Sequence, residues 1–250
     1  MKLASFLLLF ILLQTQVCNP EEFFPENSVL FNQTMIPVWT ALKIQDYEAA
    51  TKYGKEIHYN FDQLLGDGAI YQETWVEFVH ADLNLLVYAL ENGEPEVATE
   101  LAYCIMDELN DWHTLNERNF YFDKIWNFEK GYRNLKSVLN DELLNYYEWK
   151  ELENFIEEFN TSWKVILDTP LDLKGYYFIQ HPELEEFIAS RNDINRCVQE
   201  FNSQIEEADR GYLAELCNEV EPNLIRMIQV FGNYHLTNPN ANQQISLTTF

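Results

Sequence analysis

Residues 41–51 read ALKIQDYEAAT and residues 89–99 read ALENGEPEVAT, so one pattern returns after 48 positions. In both segments a helix-forming stretch ends, a short polar break follows, and a new helix-forming stretch begins at Tyr47 or Pro95. Such a break is typical of an αα-hairpin, in which the chain turns back so that two apolar stripes bury each other. The repeated segment therefore predicts antiparallel helical hairpins.

Two weaker copies of the break are predicted further along the chain, at Leu144–Trp149 and around Ile188–Val198. The step Leu42–Ala50 also resembles the turn between the two helices of a tetratricopeptide repeat, which implies a helical hairpin at this point. Shifts of 48 and 102 residues do not fit that family's period of about 34. We therefore predict a bundle with weak internal repeats.

Apolar residues follow three-and-four spacing along most of the chain, whereas glycine and proline fall between these periodic stretches. The spacing predicts an all-α fold of antiparallel helical hairpins, packed as one or two up-down bundles. The predicted helices cover residues 34–64 with one slip at Gln45-Asp46, 71–91, 95–112, 122–147, 149–167, 182–190, and 193–231 with a bend or break near Gly211 and Pro222.

The first residues have the layout of a secretory signal. Lys2 is a positive tip, Leu3–Leu13 is an apolar run, and polar residues follow at Gln14–Gln16. The run is shorter than the roughly 20 residues that a transmembrane helix needs. We therefore expect export, with an extracytoplasmic location that is either secreted or in the cell envelope. Cys18 resembles the lipidated cysteine of bacterial lipoproteins, which implies a lipid anchor as the alternative to simple cleavage.

Composition divides the chain into a leader, a connecting segment, one large helical region and a polar tail. The predicted layout is a signal peptide at 1–18, a linker at 19–33, a helical bundle domain at 34–232 with a sub-boundary near 168–182, and a disordered tail at 233–250.

The charge of the chain excludes one class of partner. With 41 acidic and 16 basic residues, the formal net charge is −25. Nucleic acids bind through lysine and arginine, so this field would repel them. We therefore predict no nucleic acid partner, an unknown protein or carbohydrate partner, and membrane attachment only through an N-terminal lipid anchor.

Histidines on three successive predicted helices form the one candidate metal site. Each has a carboxylate three or four residues away, which is the spacing that places two side chains on one helical face. If the helices pack side by side, these groups converge on one divalent cation such as Zn²⁺ or Cu²⁺. The candidate ligands are His58, Asp62, Glu77, His80, His113 and Glu117.

No sequence motif of nucleophilic catalysis or phosphate binding occurs in the chain. We therefore predict a non-catalytic binding or structural protein. The first alternative is the metal-binding bundle that uses His58, His80 and His113, and the second is a hydrolase.

The cysteines and the possible glycosylation sites add two smaller expectations. Cys104 lies in an apolar stretch and is predicted to be buried, and export allows one disulfide among Cys104, Cys197 and Cys217, with the pairing open. Asn32 and Asn160 begin Asn-x-Ser/Thr acceptors, which matter if the source is a eukaryote.

Overall fold

The computed structural model describes residues 20–65, 74–140, 146–171, 181–205 and 210–234. Within these ranges the chain forms eight α-helices and no strand, which confirms the all-α prediction. The helices are α1 Pro20–Lys43, α2 Tyr47–Leu65, α3 Thr74–Glu91, α4 Pro95–Leu115, α5 Tyr121–Asn140, α6 Tyr146–Asp168, α7 His181–Gln204 and α8 Arg210–Gln229.

Consecutive helices pack in pairs, as the repeat predicts. The pairs α1–α2, α3–α4, α5–α6 and α7–α8 have the most extensive contacts. In addition α2 packs on α3 and α1 on α4, which closes the first four helices into a bundle, while α5 packs on α8. Contacts of α1 with α8 and of α4 with α5 join the two halves, and the buried apolar residues of both halves form one core.

The repeated segment forms the same turn twice. Gln45 and Gly93 have left-handed backbones with φ of 62° and 69°. The amide of the next residue donates to the carbonyl five positions earlier, at 2.8 Å for Asp46 and 2.9 Å for Glu94. This pattern is the Schellman motif, which ends one helix and redirects the chain. After the first turn, the Asp46 carboxylate accepts the Ala49 amide at 3.0 Å and caps α2.

A third turn of this kind joins α4 to α5, where the internal repeat of the sequence did not predict one. Glu117 has φ 55°, and the Arg118 amide donates to the His113 carbonyl at 2.8 Å. The copy predicted around residues 188–198 is wrong, because α7 is continuous there. Of the copy predicted at 144–149, residues 144 and 145 lie outside the described residues.

The predicted linker at 19–33 is also wrong over its described part. Pro20 begins α1, where a proline suits the first helical position because its missing N–H needs no partner. Val29 and Phe31 are 2% and 0% exposed, and Asn32 is 3% exposed. The first helix therefore enters the core well before residue 34.

The first two residues of the predicted disordered tail contact the helices, so the predicted boundary at 233 is wrong. The Asn233 amide donates to the Gln33 carbonyl at 2.8 Å, and the Tyr234 ring meets the Tyr53 ring edge-on at 6.1 Å. The remaining predicted tail, the leader with Cys18, and residues 172–180 of the predicted sub-boundary lie outside the described residues, so these predictions stand untested.

No helix in the described parts of the chain is both long and apolar enough to cross a bilayer.

Candidate functional site

Three polar side chains form a buried hydrogen-bonded chain between α1, α4 and α5. His113 Nδ1 lies 2.9 Å from Asp123 Oδ1, and His113 Nε2 lies 3.0 Å from Ser28 Oγ. Because a carboxylate only accepts, Nδ1 carries the proton, and in the neutral ring Nε2 accepts the Ser28 hydroxyl proton. Asp123 also accepts the Phe120 amide at 3.3 Å, which ties the network to the start of α5.

This Ser–His–Asp connectivity is the one that activates a serine nucleophile in many hydrolases. Here the three residues are closed off from solvent, since Ser28 is 1%, His113 0% and Asp123 6% exposed. A substrate carbonyl cannot reach Ser28 Oγ in this conformation. In the described structure the network therefore pins three helices together, because each buried polar group has a partner.

The structure brings together two of the three histidines predicted to bind metal. The rings of His58 on α2 and His80 on α3 are nearly parallel, with centroids 6.4 Å apart, and both residues are exposed. His113 is committed to the buried network, and Glu117 is exposed in the turn that follows α4. The side chains of Asp62 and Glu77 lie outside the described residues. Among described side chains, no three histidine, cysteine or carboxylate groups cluster as a metal site.

One surface of the α3–α4 hairpin is apolar and exposed. Phe78, Leu85 and Tyr88 are 60%, 53% and 62% exposed, and their spacing of seven and three residues places them on one face of α3. On α4, Val97 is 49% exposed and Cys104, seven residues later, is also exposed. We call these five residues the α3–α4 face. Burial of Cys104 was the prediction, and it is wrong because no helix of the described ranges packs over this side of α4.

Carboxylates surround the α3–α4 face. Partial burial raises the pKa of the Cys104 thiol, and the negative charges of Asp82 on α3 and Glu100 on α4 raise it further. Desolvation likewise raises the pKa of Glu108, with Asp82 adding to the effect. No lysine or arginine of the described residues forms a salt bridge with these three carboxylates. Asp107 also raises the pKa of Cys104, but it pairs with Arg133. The face therefore combines exposed apolar groups with negative charge that is only partly neutralised.

A second buried polar cluster lies where α4 meets α5. Glu129 is 2% exposed, and desolvation raises its pKa to about 7 although Arg133 and a hydrogen bond from Tyr103 favour the charged form. Arg133 lies 3.9 Å from the centroid of the Tyr103 ring and pairs with Asp107 at 2.9 Å. Its Nε is 3.7 Å from Glu129 Oε2, too far for a hydrogen bond. Arg133 and Tyr103 thus offset only part of the desolvation penalty of the buried Glu129 carboxylate.

The pKa of a neighbouring carboxylate, Glu221, is shifted in the opposite direction. Glu221 on α8 pairs with Lys43 of α1 and with Lys136 of α5, each at 2.5 Å. Although desolvation acts to raise the pKa of Glu221, the two ammonium groups outweigh it and hold that pKa below its ordinary value. This triad links the two halves of the fold.

No protein-family model, curated protein or solved structure matches this chain. A functional proposal consequently rests on the sequence and on the described side chains. Sequence reasoning missed the Ser28 network because its members are 85 and 10 residues apart along the chain and belong to no motif. It also missed the α3–α4 face, since a helix with apolar residues on two sides does not reveal which side is covered.

Proposed function

We propose that this protein is an exported, non-catalytic binding protein that docks a basic, amphipathic segment of a partner protein on the α3–α4 face. The observation that supports the proposal is the row of Phe78, Leu85 and Tyr88, each more than half exposed. Three carboxylates beside it, Asp82, Glu100 and Glu108, form no salt bridge with a described lysine or arginine. Exposed aromatic and aliphatic groups in a contiguous patch are typical of protein-binding surfaces.

Charge selects the class of partner. A second copy of this chain would bring another net charge of −25 against the acidic surface, so self-association through this face is disfavoured. A segment carrying lysine or arginine beside leucine-like residues would satisfy both features. Covering each half-exposed apolar side chain contributes roughly 1–2 kcal/mol, and steering by opposite charge accelerates encounter.

The proposal is tested with a synthetic amphipathic helix of leucine and lysine as the probe. We expect salt-dependent binding in calorimetry, and about tenfold weaker binding to the variant Phe78→Ala/Leu85→Ala. The control is Val165→Ala/Ile188→Ala, which removes two apolar residues of α6 and α7 that are 43% and 46% exposed. Equal loss in both variants would mean that the probe binds the whole acidic surface and would refute the docking site.

A second pair of variants isolates the role of charge. Glu100→Gln/Glu108→Gln should weaken probe binding, whereas Glu153→Gln/Glu157→Gln on α6 removes the same charge elsewhere and should leave it nearly unchanged. Identical effects of the two variants would contradict recognition by the carboxylates of the α3–α4 face.

Export is the second part of the proposal, and it is supported by the leader-like pattern of residues 1–18. Fusing these residues to a reporter enzyme should send the reporter out of the cytoplasm, and replacing Leu8 and Leu9 by arginine should retain it inside. Mass spectrometry of the mature amino terminus then separates simple cleavage from lipidation at Cys18.

A hydrolase is the second candidate function, and the hydrogen-bond order of Ser28, His113 and Asp123 favours it. It would require the start of α1 to move so that Ser28 becomes accessible. Labelling by a fluorophosphonate probe in the wild type but not in Ser28→Ala would support this candidate; absence of labelling over hours would remove it.

A further inference from the structure

We propose that His58 and His80 form a surface site for a transition-metal cation such as Cu²⁺ or Zn²⁺, with Asn84 as the positioning residue for His58. The site uses two helices, α2 and α3, and excludes His113. It is independent of the docking surface, because none of its three residues belongs to the α3–α4 face.

The separation of the two rings is close to what a shared ion requires. A metal–nitrogen bond is about 2 Å long and the ring adds roughly 1 Å, so two imidazoles on one ion have centroids about 6 Å apart or less. The observed centroid distance is 6.4 Å with an interplanar angle of 12°. Both side chains are exposed, so small rotamer adjustments can close the remaining gap without disturbing the core.

Hydrogen bonds fix the proton on the His58 ring. Asn84 Nδ2 donates to the His80 carbonyl at 2.8 Å, which identifies the other amide atom, Oδ1, as the acceptor. His58 Nε2 lies 2.6 Å from that Oδ1 and must therefore donate to it. The neutral ring then carries its proton on Nε2, and its lone pair on Nδ1. A histidine whose second nitrogen donates to a fixed acceptor is the usual arrangement of a metal ligand.

The His80 ring packs against an aromatic ring of α2. It stacks on Phe61 with centroids 4.8 Å apart and an angle of 23°, a contact that allows small shifts of the imidazole along the face of the Phe61 ring. Phe61 itself is buried, so it is a rigid support. The chain's net negative charge raises the local concentration of any cation near the site. Imidazole nitrogens then select Cu²⁺ or Zn²⁺ over Mg²⁺ and Ca²⁺, which prefer oxygen ligands.

The test uses tag-free protein titrated with Cu²⁺ in an excess of Mg²⁺, which occupies sites made only of carboxylates. We expect one Cu²⁺ per chain by calorimetry and a paramagnetic resonance spectrum with hyperfine structure from imidazole nitrogen. His58→Ala and His80→Ala should each weaken binding by more than about tenfold. The control His235→Ala removes one imidazole that the proposed site does not use and should leave affinity unchanged.

Asn84→Leu tests the positioning role, because it leaves both imidazoles present. We expect about 10- to 100-fold weaker Cu²⁺ binding in this variant, with unchanged helical circular dichroism. Full affinity in Asn84→Leu would overturn the role of Asn84. Unchanged affinity in the double variant His58→Ala/His80→Ala would overturn the site. Neither result affects the docking proposal, which is read out by the peptide probe.

Discussion

The stability of Glu129→Gln relative to the wild type should be greater at alkaline pH than at acidic pH. Glu129 has its folded-state pKa raised from 4.5 to about 7 by desolvation. The folded state therefore binds this proton more tightly than the unfolded state does. The contribution of the protonated group is fully present below pH 4.5 and is lost as the pH rises toward about 7.

The size of the expected stability change follows from the pKa shift of Glu129. Each pKa unit corresponds to 1.36 kcal/mol, so ionisation of Glu129 costs the wild type about 3 kcal/mol by pH 8. Part of this cost, about 1 kcal/mol, is already present at pH 5, because the unfolded carboxyl ionises there. Glutamine keeps the shape and cannot ionise. The stability difference between Glu129→Gln and the wild type should therefore grow by about 2 kcal/mol between pH 5 and pH 8.

The assay is urea unfolding followed by tryptophan fluorescence at both pH values. Comparing variant with wild type at each pH cancels the titration of the other carboxylates. Glu221→Gln is the matched control, because the pKa of Glu221 is lowered in the folded state and its stabilisation is lost only as the pH falls below 4.5. Its effect should be constant between pH 5 and pH 8. A Glu129→Gln difference that is equally constant would refute the reasoning.

The remaining predictions concern thiols, one turn and the buried network. Of the three cysteines in the described residues, only Cys104 should react with a maleimide under native conditions, slowly because its pKa is raised, whereas the buried Cys197 and Cys217 should react only on unfolding; rapid labelling of all three would contradict the burial of Cys197 and Cys217. Gly93→Ala should cost about 1 kcal/mol in urea unfolding, because φ is 69° and no atom lies within 4 Å to clash. His113→Ala should cost about 3 kcal/mol, since it removes the hydrogen bonds of the ring to the buried Ser28 and Asp123 and leaves a cavity, and a loss under 1 kcal/mol would count against the network.

The fold was predictable where local sequence carries the information. The turn at Gln45 and the turn at Gly93 share a pattern that the chain itself repeats, and both form the same hydrogen bonds. The turn at Glu117 has the same geometry with a different sequence, because the back-bonding amide belongs to the main chain and a residue other than glycine can adopt the left-handed backbone at some cost. The start of α1 was missed because Pro20 was interpreted as part of a linker, although proline is compatible with the first turn.

The candidate sites depend on contacts between helices, which spacing along one helix cannot give. The sequence predicted carboxylate partners at helical distance for each histidine, yet His58 bonds to Asn84 on the next helix and His113 to Asp123 beyond a turn. Helical periodicity identifies the residues that share a face, and only packing determines which faces meet. For this reason the sequence predicted that His58 and His80 approach each other, but it wrongly added His113 and did not predict the buried network.

The burial of Asn32 bears on how the protein can be produced. Its acceptor Asn32-Gln33-Thr34 lies inside α1 with the asparagine 3% exposed, and a branched sugar on that amide would have to occupy the core. In a eukaryotic secretory host, oligosaccharide is transferred as the chain enters the lumen, before α1 can dock. Expression there should yield misfolded, retained material that Asn32→Gln or Thr34→Val rescues, whereas a bacterial periplasm should deliver the unmodified chain.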